Sequence, residues 1–227
     1  MSTYLDRTIE LLGIEKVKSF EEKTILVVGL GGVGGTALMA LSRSGFKNFI
    51  IVDHDKVDIT NINRQIFYFS DDVDKLKVDV CEKTIKRISN DINVIKFDLF
   101  IDENNLNLFD NYKIDYIVDA IDKIPSKIAL IKYAQKREIP IIVSLGMGNK
   151  IDPEKVTLTT LDKTSYDPLA KILRYKLRKE NVDTKQINVV FDSDSPLVRN
   201  EKPSSIMLVP STAGLLIAKH IIDKIGG

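Results

Sequence analysis

Residues 24–53, TILVVGLGGVGGTALMALSRSGFKNFIIVD, limit what this chain can fold into more than any other stretch. Ile25-Leu26-Val27-Val28 is an unbroken apolar run, as a strand buried on both faces requires. Gly29, Gly31, Gly32, Gly34 and Gly35 follow, and then Ala37, Leu38 and Leu41 at helical spacing. Phe49-Ile50-Ile51-Val52 predicts a second buried strand, closed by Asp53. Strand, glycine turn, helix, strand and acid make the opening unit of a parallel α/β sheet. Gly29-Leu30-Gly31-Gly32-Val33-Gly34 fits G-x-G-x-x-G, a pattern that lets the backbone turn tightly and approach a phosphate. The helix behind it directs unpaired N–H groups and a positive dipole end at that anion. Asp53 lies 19 residues past Gly34, the usual distance for a carboxylate that accepts ribose hydroxyls. A glycine-rich turn that binds nothing would not need the flanking strand, helix and acid. The stretch predicts a nucleotide site, with Gly31, Gly32 and Gly34 at the phosphates.

At 227 residues, 44% hydrophobic and 29% charged, the chain suits one globular domain with a substantial core. Its 33 basic and 32 acidic residues leave a net charge of +1, so only local patches could attract nucleic acid. No apolar run reaches the roughly 20 residues of a membrane span. No secretory signal opens the sequence. Cys81 is the only cysteine, which excludes an internal disulfide and a cysteine zinc cage. These features predict a cytoplasmic protein.

The remaining pattern continues the α/β alternation. Leu5, Ile9, Leu12 and Val17 give an N-terminal helical stripe broken near Gly13. A helix is expected from Asp71 to Ser89, and a short strand at Val94–Phe97. Tyr116-Ile117-Val118-Asp119-Ala120-Ile121-Asp122 reads as a strand ending in acids, and ligands of open α/β sheets gather at such carboxyl ends. A helix over 125–137 and a strand over 139–144 form a further unit, and a final helix is expected at about 212–225. His54 and His220 offer no ligand cluster. The basic helix 171–179, KILRYKLRK, reads equally as a solvated face or a phosphate-contacting one. Tyr166 and Tyr175 are either packed or free to stack on a base.

Beyond Asp53 the chain is polar where a dinucleotide dehydrogenase turns into its next helix. The D-x-D of Asp53 and Asp55, the N-x-N-R-Q of Asn61 to Gln65, and Lys77 on the next helix join the glycine turn. This combination resembles the ubiquitin-activating-type adenylyltransferases, the family of the ThiF and MoeB proteins. After Gly148 the likeness narrows to the tRNA threonylcarbamoyladenosine dehydratase branch. It is carried by Leu161 to Lys171, Val189-Val190-Phe191-Asp192-Ser193-Asp194-Ser195-Pro196, Pro203-Ser204-Ser205 and Val209-Pro210-Ser211.

The resemblance implies a Rossmann-like fold with a mostly parallel sheet and helices on both faces. It further implies one ThiF-type domain over 1–227, with an ATP-binding core (1–150) and a C-terminal, tRNA-facing α/β extension (151–227). It implies ATP and Mg2+. Gly29, Gly31, Gly32 and Gly34 would face the nucleotide and Asp53 the ribose, with Asp55, Asn61, Asn63 and Gln65 lining the site. Arg64 and Lys77 would hold phosphates, and Asp122 the magnesium ion. Asp119 is either a supporting partner of that unit or a plain strand-end acid. Arg7 would reach across a homodimer interface to the second copy's ATP. A tRNA carboxylate would attack the α-phosphate, and the acyl-adenylate would then close into an oxazolone ring.

Two departures stand out. Sulfur-carrier activators commonly bear paired C-x-x-C motifs and a catalytic cysteine, and this chain has neither. Some dehydratase relatives place a cysteine just before Val-Phe where Val189-Val190 stand here. The rival enzyme reading is adenylation of a ubiquitin-like sulfur carrier, and a sulfur-acceptor protein is left open as a partner. A nucleotide-sensing scaffold and an NAD dehydrogenase fit the motifs less well. Cys81 is expected to pack rather than to react.

Overall fold

The computed structural model describes residues 2–198 and 203–225. Seven strands form one sheet in the order β3-β2-β1-β4-β5-β7-β6. They are β1 (Thr24–Val28), β2 (Asn48–Asp53), β3 (Asn93–Asp98), β4 (Tyr116–Asp119), β5 (Ile141–Ser144), β6 (Val156–Thr160) and β7 (Asn188–Asp192). All neighbours run parallel except β6, which pairs antiparallel with β7. The order reverses at β1, and the crevice between β1 and β4 is where such sheets bind ligands.

The strand pleat assigns side chains to two cores, because successive residues point to opposite faces. Ile25, Val27, Phe49, Ile51 and Val118 enter one apolar cluster. Leu26, Val28, Ile50, Val52 and Ile117 enter the other. The first face is covered by α3 (Gly32–Ser44), α4 (Lys77–Lys86) and α7 (Leu208–Lys224). The second is covered by α5 (Ile124–Lys136), α6 (Pro168–Lys179) and a 3-10 turn at Leu106–Asn111. Burial on both faces explains why β1 and β2 read as continuous apolar runs.

Helices α1 (Asp6–Leu12) and α2 (Ile14–Glu21) break at Gly13, whose φ of 85° favours glycine. The helix expected over 71–89 is shorter. Residues Ser70–Asp72 form a 3-10 turn, Asp74 takes φ 69°, and Leu76 bridges to Lys56. Helix α4 therefore starts at Lys77. Helix α7 starts four residues ahead of expectation, with Pro210 in its first turn, where no N–H is needed. No helix among the described residues is long and apolar enough to cross a membrane.

Candidate functional site

A cavity of about 450 Å³ opens at the carboxyl ends of β1, β2 and β4. Its floor is the glycine turn. Gly29 has φ 91°, and a Cβ there would lie 2.6 Å from the Ala120 carbonyl oxygen. Gly31 caps α3, and an added Cβ would meet only the Gln65 Nε2 at 3.9 Å. The space beside Gly31 is thus open to a ligand. The first-turn N–H groups of α3 are free of helical acceptors by geometry, and they give this wall a positive end. Gly34, expected beside the phosphates, is instead buried. A Cβ there would lie 1.9 Å from the Gly29 oxygen, so Gly34 lets helix and turn pack rather than lining the cavity.

Asp53 ties this floor together. One carboxylate oxygen accepts the Leu30 N–H at 2.6 Å and the other the Asp55 N–H at 2.9 Å. The Tyr68 hydroxyl donates to the Leu30 carbonyl at 2.8 Å from the opposite side. Lys77 is buried and its ammonium lies 2.8 Å from the Asp55 carboxylate. A charged side chain is taken out of water only with such a partner. Starting α4 at Lys77 is what brings the lysine to the wall.

The 57–69 crossover supplies the opposite wall. Asp58 caps a 3-10 turn, accepting the Thr60 N–H and hydroxyl at 2.8 and 2.6 Å. Those bonds hold its carboxyl below the usual range. Asn61 closes the reciprocal capping box and is buried against the cavity with Gln65. Arg64 is half-buried, with one guanidinium nitrogen donating to the Thr60 carbonyl and to Asn63 Oδ1. Asn63 stands outside the cavity wall, contrary to expectation, and donates to the Ser205 carbonyl at 2.8 Å. It ties the crossover to the segment that leads into α7.

Asp122 lines the far side with an 86% exposed side chain, and the nearest cation is Lys123 at 3.9 Å. A carboxylate so placed fits a hydrated divalent ion, since magnesium takes one or two carboxylates and fills its shell with phosphate oxygens and water. Leu99, Phe100, Ile101 and Ile121 make an apolar end suited to a purine. Asp53, His54 and Asp55 also bring possible ligand atoms within 4.8 Å of one another. This corrects the expectation that the histidines join no cluster. Two of those carboxylates are already engaged by amides and by Lys77, while the His54 ring rests edge-on against Phe100. Arg7 is exposed on α1 and does not line the cavity of its own chain.

The sequence reading missed one buried pair. Lys127 and Asp119 are both fully buried and 2.9 Å apart, and the same ammonium donates to the Ser144 carbonyl at 2.7 Å. Burial pushes the Asp119 carboxyl up, opposed by Lys127. The pair joins the ends of β4 and β5, and Asp119 also accepts the Ile121 N–H next to Asp122. A signal existed: Lys127 sits on the helical stripe of Leu130, Ile131 and Ala134, where a cation needs an acid. Cys81 is buried, 3.4 Å from the Tyr68 hydroxyl, and burial pushes its thiol up. It packs, as expected.

The pattern of the ThiF family matches residues 5–227. The tRNA threonylcarbamoyladenosine dehydratase of Bacillus subtilis is 38% identical over 229 residues, spanning 93% of this chain and 90% of that protein. The Escherichia coli protein of the same name is 34% identical, spanning 91% of this chain and 79% of its own length. The crystal structure of the E. coli dehydratase TcdA in complex with ATP superposes with a TM-score of 0.92 at 32% identity. It covers 98% of this chain and 93% of that one.

Proposed function

The chain belongs to the ThiF family, and we propose that it is an ATP-dependent tRNA threonylcarbamoyladenosine dehydratase. The observation that carries this reading is the extent of the likeness, which runs through both the nucleotide half and the segment beyond residue 150. The latter segment, 151–227, is the tRNA-facing part in this proposal.

ATP is the co-substrate. Its ribose hydroxyls meet Asp53, and its phosphates meet Gly31, Gly32, Arg64 and Lys77. Asn61, Gln65 and Asp55 complete the wall, with Asp55 holding the Lys77 ammonium in place. Asp122 would hold a magnesium ion, which supplies charge neutralisation at the phosphate oxygens. A carboxylate oxygen of the threonylcarbamoyl group attacks the α-phosphorus, and the bond to pyrophosphate breaks. The carbamoyl oxygen then attacks the acyl-adenylate carbonyl carbon, a carbamoyl nitrogen gives up its proton, and AMP leaves with the former carboxylate oxygen. The sum is loss of one water into the two ATP fragments. Both nucleophiles belong to the substrate, so the protein contributes position and charge. No cysteine relay is needed.

A second copy completes the site. Ile59, Phe69, Ile206, Leu208 and Leu215 are exposed on segments joined by the Asn63–Ser205 bond, and exposed apolar groups on connected segments suit a protein interface. Arg7 of the second copy then reaches the phosphates. The cytoplasm is the proposed compartment, and a sulfur-acceptor protein is a further proposed partner.

The test is incubation with ATP and tRNA carrying threonylcarbamoyladenosine. AMP should appear together with a nucleoside lighter by one water. AMP formed only with a ubiquitin-like acceptor, and no cyclised nucleoside, would overturn the reading.

A further inference from the structure

Helix α6 begins beside the proposed active site and leads away from it. Its capping residue Asp167 accepts the Ala170 N–H at 3.0 Å through one oxygen and the Gly146 N–H at 3.2 Å through the other. Asp119 and Val143 are register partners in β4 and β5. Asp122 and Gly146 each stand three residues beyond them, on the same carboxyl edge of the sheet. From that edge the 12 residues of α6 extend about 18 Å.

One face of α6 is basic. Lys171, Tyr175, Arg178 and Lys179 lie at helical spacing around a shallow groove of about 410 Å³. Arg174 turns inward, donating to the Thr164 carbonyl at 3.0 Å, and so anchors the preceding turn. Several surface cations elsewhere sit on acids, as Lys96 does on Asp79 and Glu82, and Lys132 on Glu180. Among the described residues no acid lies within ion-pair distance of Lys171, Arg178 or Lys179. Three cations free of acid partners thus line one groove, which raises the local potential for an anion.

Aromatic rings interleave with these cations. Tyr175 is exposed, with the Lys179 ammonium 4.4 Å from its ring centre. Tyr166, directly before the capping Asp167, is 86% exposed and holds φ at 57°. A bulky residue in the left-handed region is strained, and such strain persists only where neighbouring contacts fix the backbone. Here the two Asp167 bonds fix the turn, and the ring is held out in water beside the site edge.

We infer that this face of α6 is the docking surface for the single-stranded anticodon loop of the tRNA substrate. Lys171, Arg178 and Lys179 take backbone phosphates, and Tyr166 and Tyr175 stack on unpaired bases. The inference rests on the dehydratase reading above. Cation groove plus exposed rings is the recognition mode of single-stranded nucleic acid.

The test compares the native enzyme with a Lys171→Ala, Arg178→Ala, Lys179→Ala variant, using cellular tRNA carrying threonylcarbamoyladenosine. The variant should raise the KM for tRNA on the order of tenfold, with kcat and ATP affinity within about twofold. The dependence of log KM on log salt should flatten by about 2 to 3, because each phosphate contact releases roughly one counterion. Tyr166→Ala and Tyr175→Ala should each raise KM several-fold, and Tyr→Phe at either position should restore it. If the native enzyme cyclises the tRNA but the triple variant keeps its KM and salt dependence, the docking surface is wrong and the dehydratase reading stands. Equal loss in Tyr→Ala and Tyr→Phe variants would remove the stacking role. A native enzyme that does not act on the tRNA overturns both.

Discussion

The Asp53 carboxylate accepts the Leu30 N–H at 2.6 Å across 23 residues of chain. The acid proposed to receive the ribose is therefore also the tether of the glycine turn. Sequence spacing suggested the first role only. The second follows from β2 lying beside β1, which places the acid at the end of one strand against the turn leaving the other.

Asp53→Asn tests both roles. An amide cannot accept two N–H groups through two charged oxygens, and a hydrogen bond to a charged group contributes about 1.5–3 kcal/mol. ATP affinity by calorimetry should fall roughly 10- to 100-fold, and the thermal midpoint should fall with it. Unchanged ATP affinity would contradict the assignment.

The glycines should separate by function. Gly31→Ala adds a methyl that meets only Gln65 at 3.9 Å, so stability should stay within about 1 kcal/mol while ATP binding weakens at least several-fold. Gly34→Ala forces a Cβ to 1.9 Å from the Gly29 oxygen and should destabilise by about 1–3 kcal/mol or more. Denaturant titration beside ATP titration distinguishes the two. The same loss pattern in both variants would refute the separation.

Lys127→Met leaves Asp119 buried without its cation and should cost about 3–5 kcal/mol in urea unfolding. Asp119→Asn added to it should recover part of the loss. Burial already raises the Asp119 carboxyl, and removing Lys127 takes away the opposing influence. A carboxyl that holds its proton more tightly folded than unfolded loses stability as pH rises from the unfolded value through the folded one. Lowering the pH toward 4 should therefore narrow the gap between variant and native protein. A gap that widens at low pH would mean that Asp119 is not the group left exposed to burial.

Arg7→Ala and Asp122→Ala subunits should each be inactive alone. Mixed dimers should regain activity, because one of the two sites then has an intact Arg7 from one copy and an intact Asp122 from the other. If the mixture stays inactive while size measurements show mixed dimers, the site is built within one chain.

Cys81→Ala should keep most tRNA-dependent AMP release and form the cyclic product. The native thiol should resist iodoacetamide by mass spectrometry, since it is buried and its thiolate is disfavoured by burial. Rapid alkylation with loss of cyclisation would point to a thioester step.

The sequence determined by itself whatever depends on neighbours along the chain. Apolar runs marked β1, β2 and β4, the glycines marked the turn before α3, and the Gly13 break and most helices followed from local pattern. The family signature pointed to the nucleotide and to Arg64, Lys77 and Asp122 through residue type and order. Tertiary structure decided what depends on pairing between distant segments. The Lys56–Leu76 bridge and the turn at Asp74 cut α4 back to Lys77, and only then does that lysine reach Asp55. Lys127 lies on an apolar stripe whose acid partner is invisible along the chain until β4 and β5 deliver Asp119 and the Ser144 carbonyl to it. Gly34 and Asn63 belong to the motif, yet one packs a helix on a turn and the other ties a loop to the entrance of α7. A motif fixes residue identity along the chain. Which of its members face the ligand is set by the packing of strands and helices that are remote in sequence.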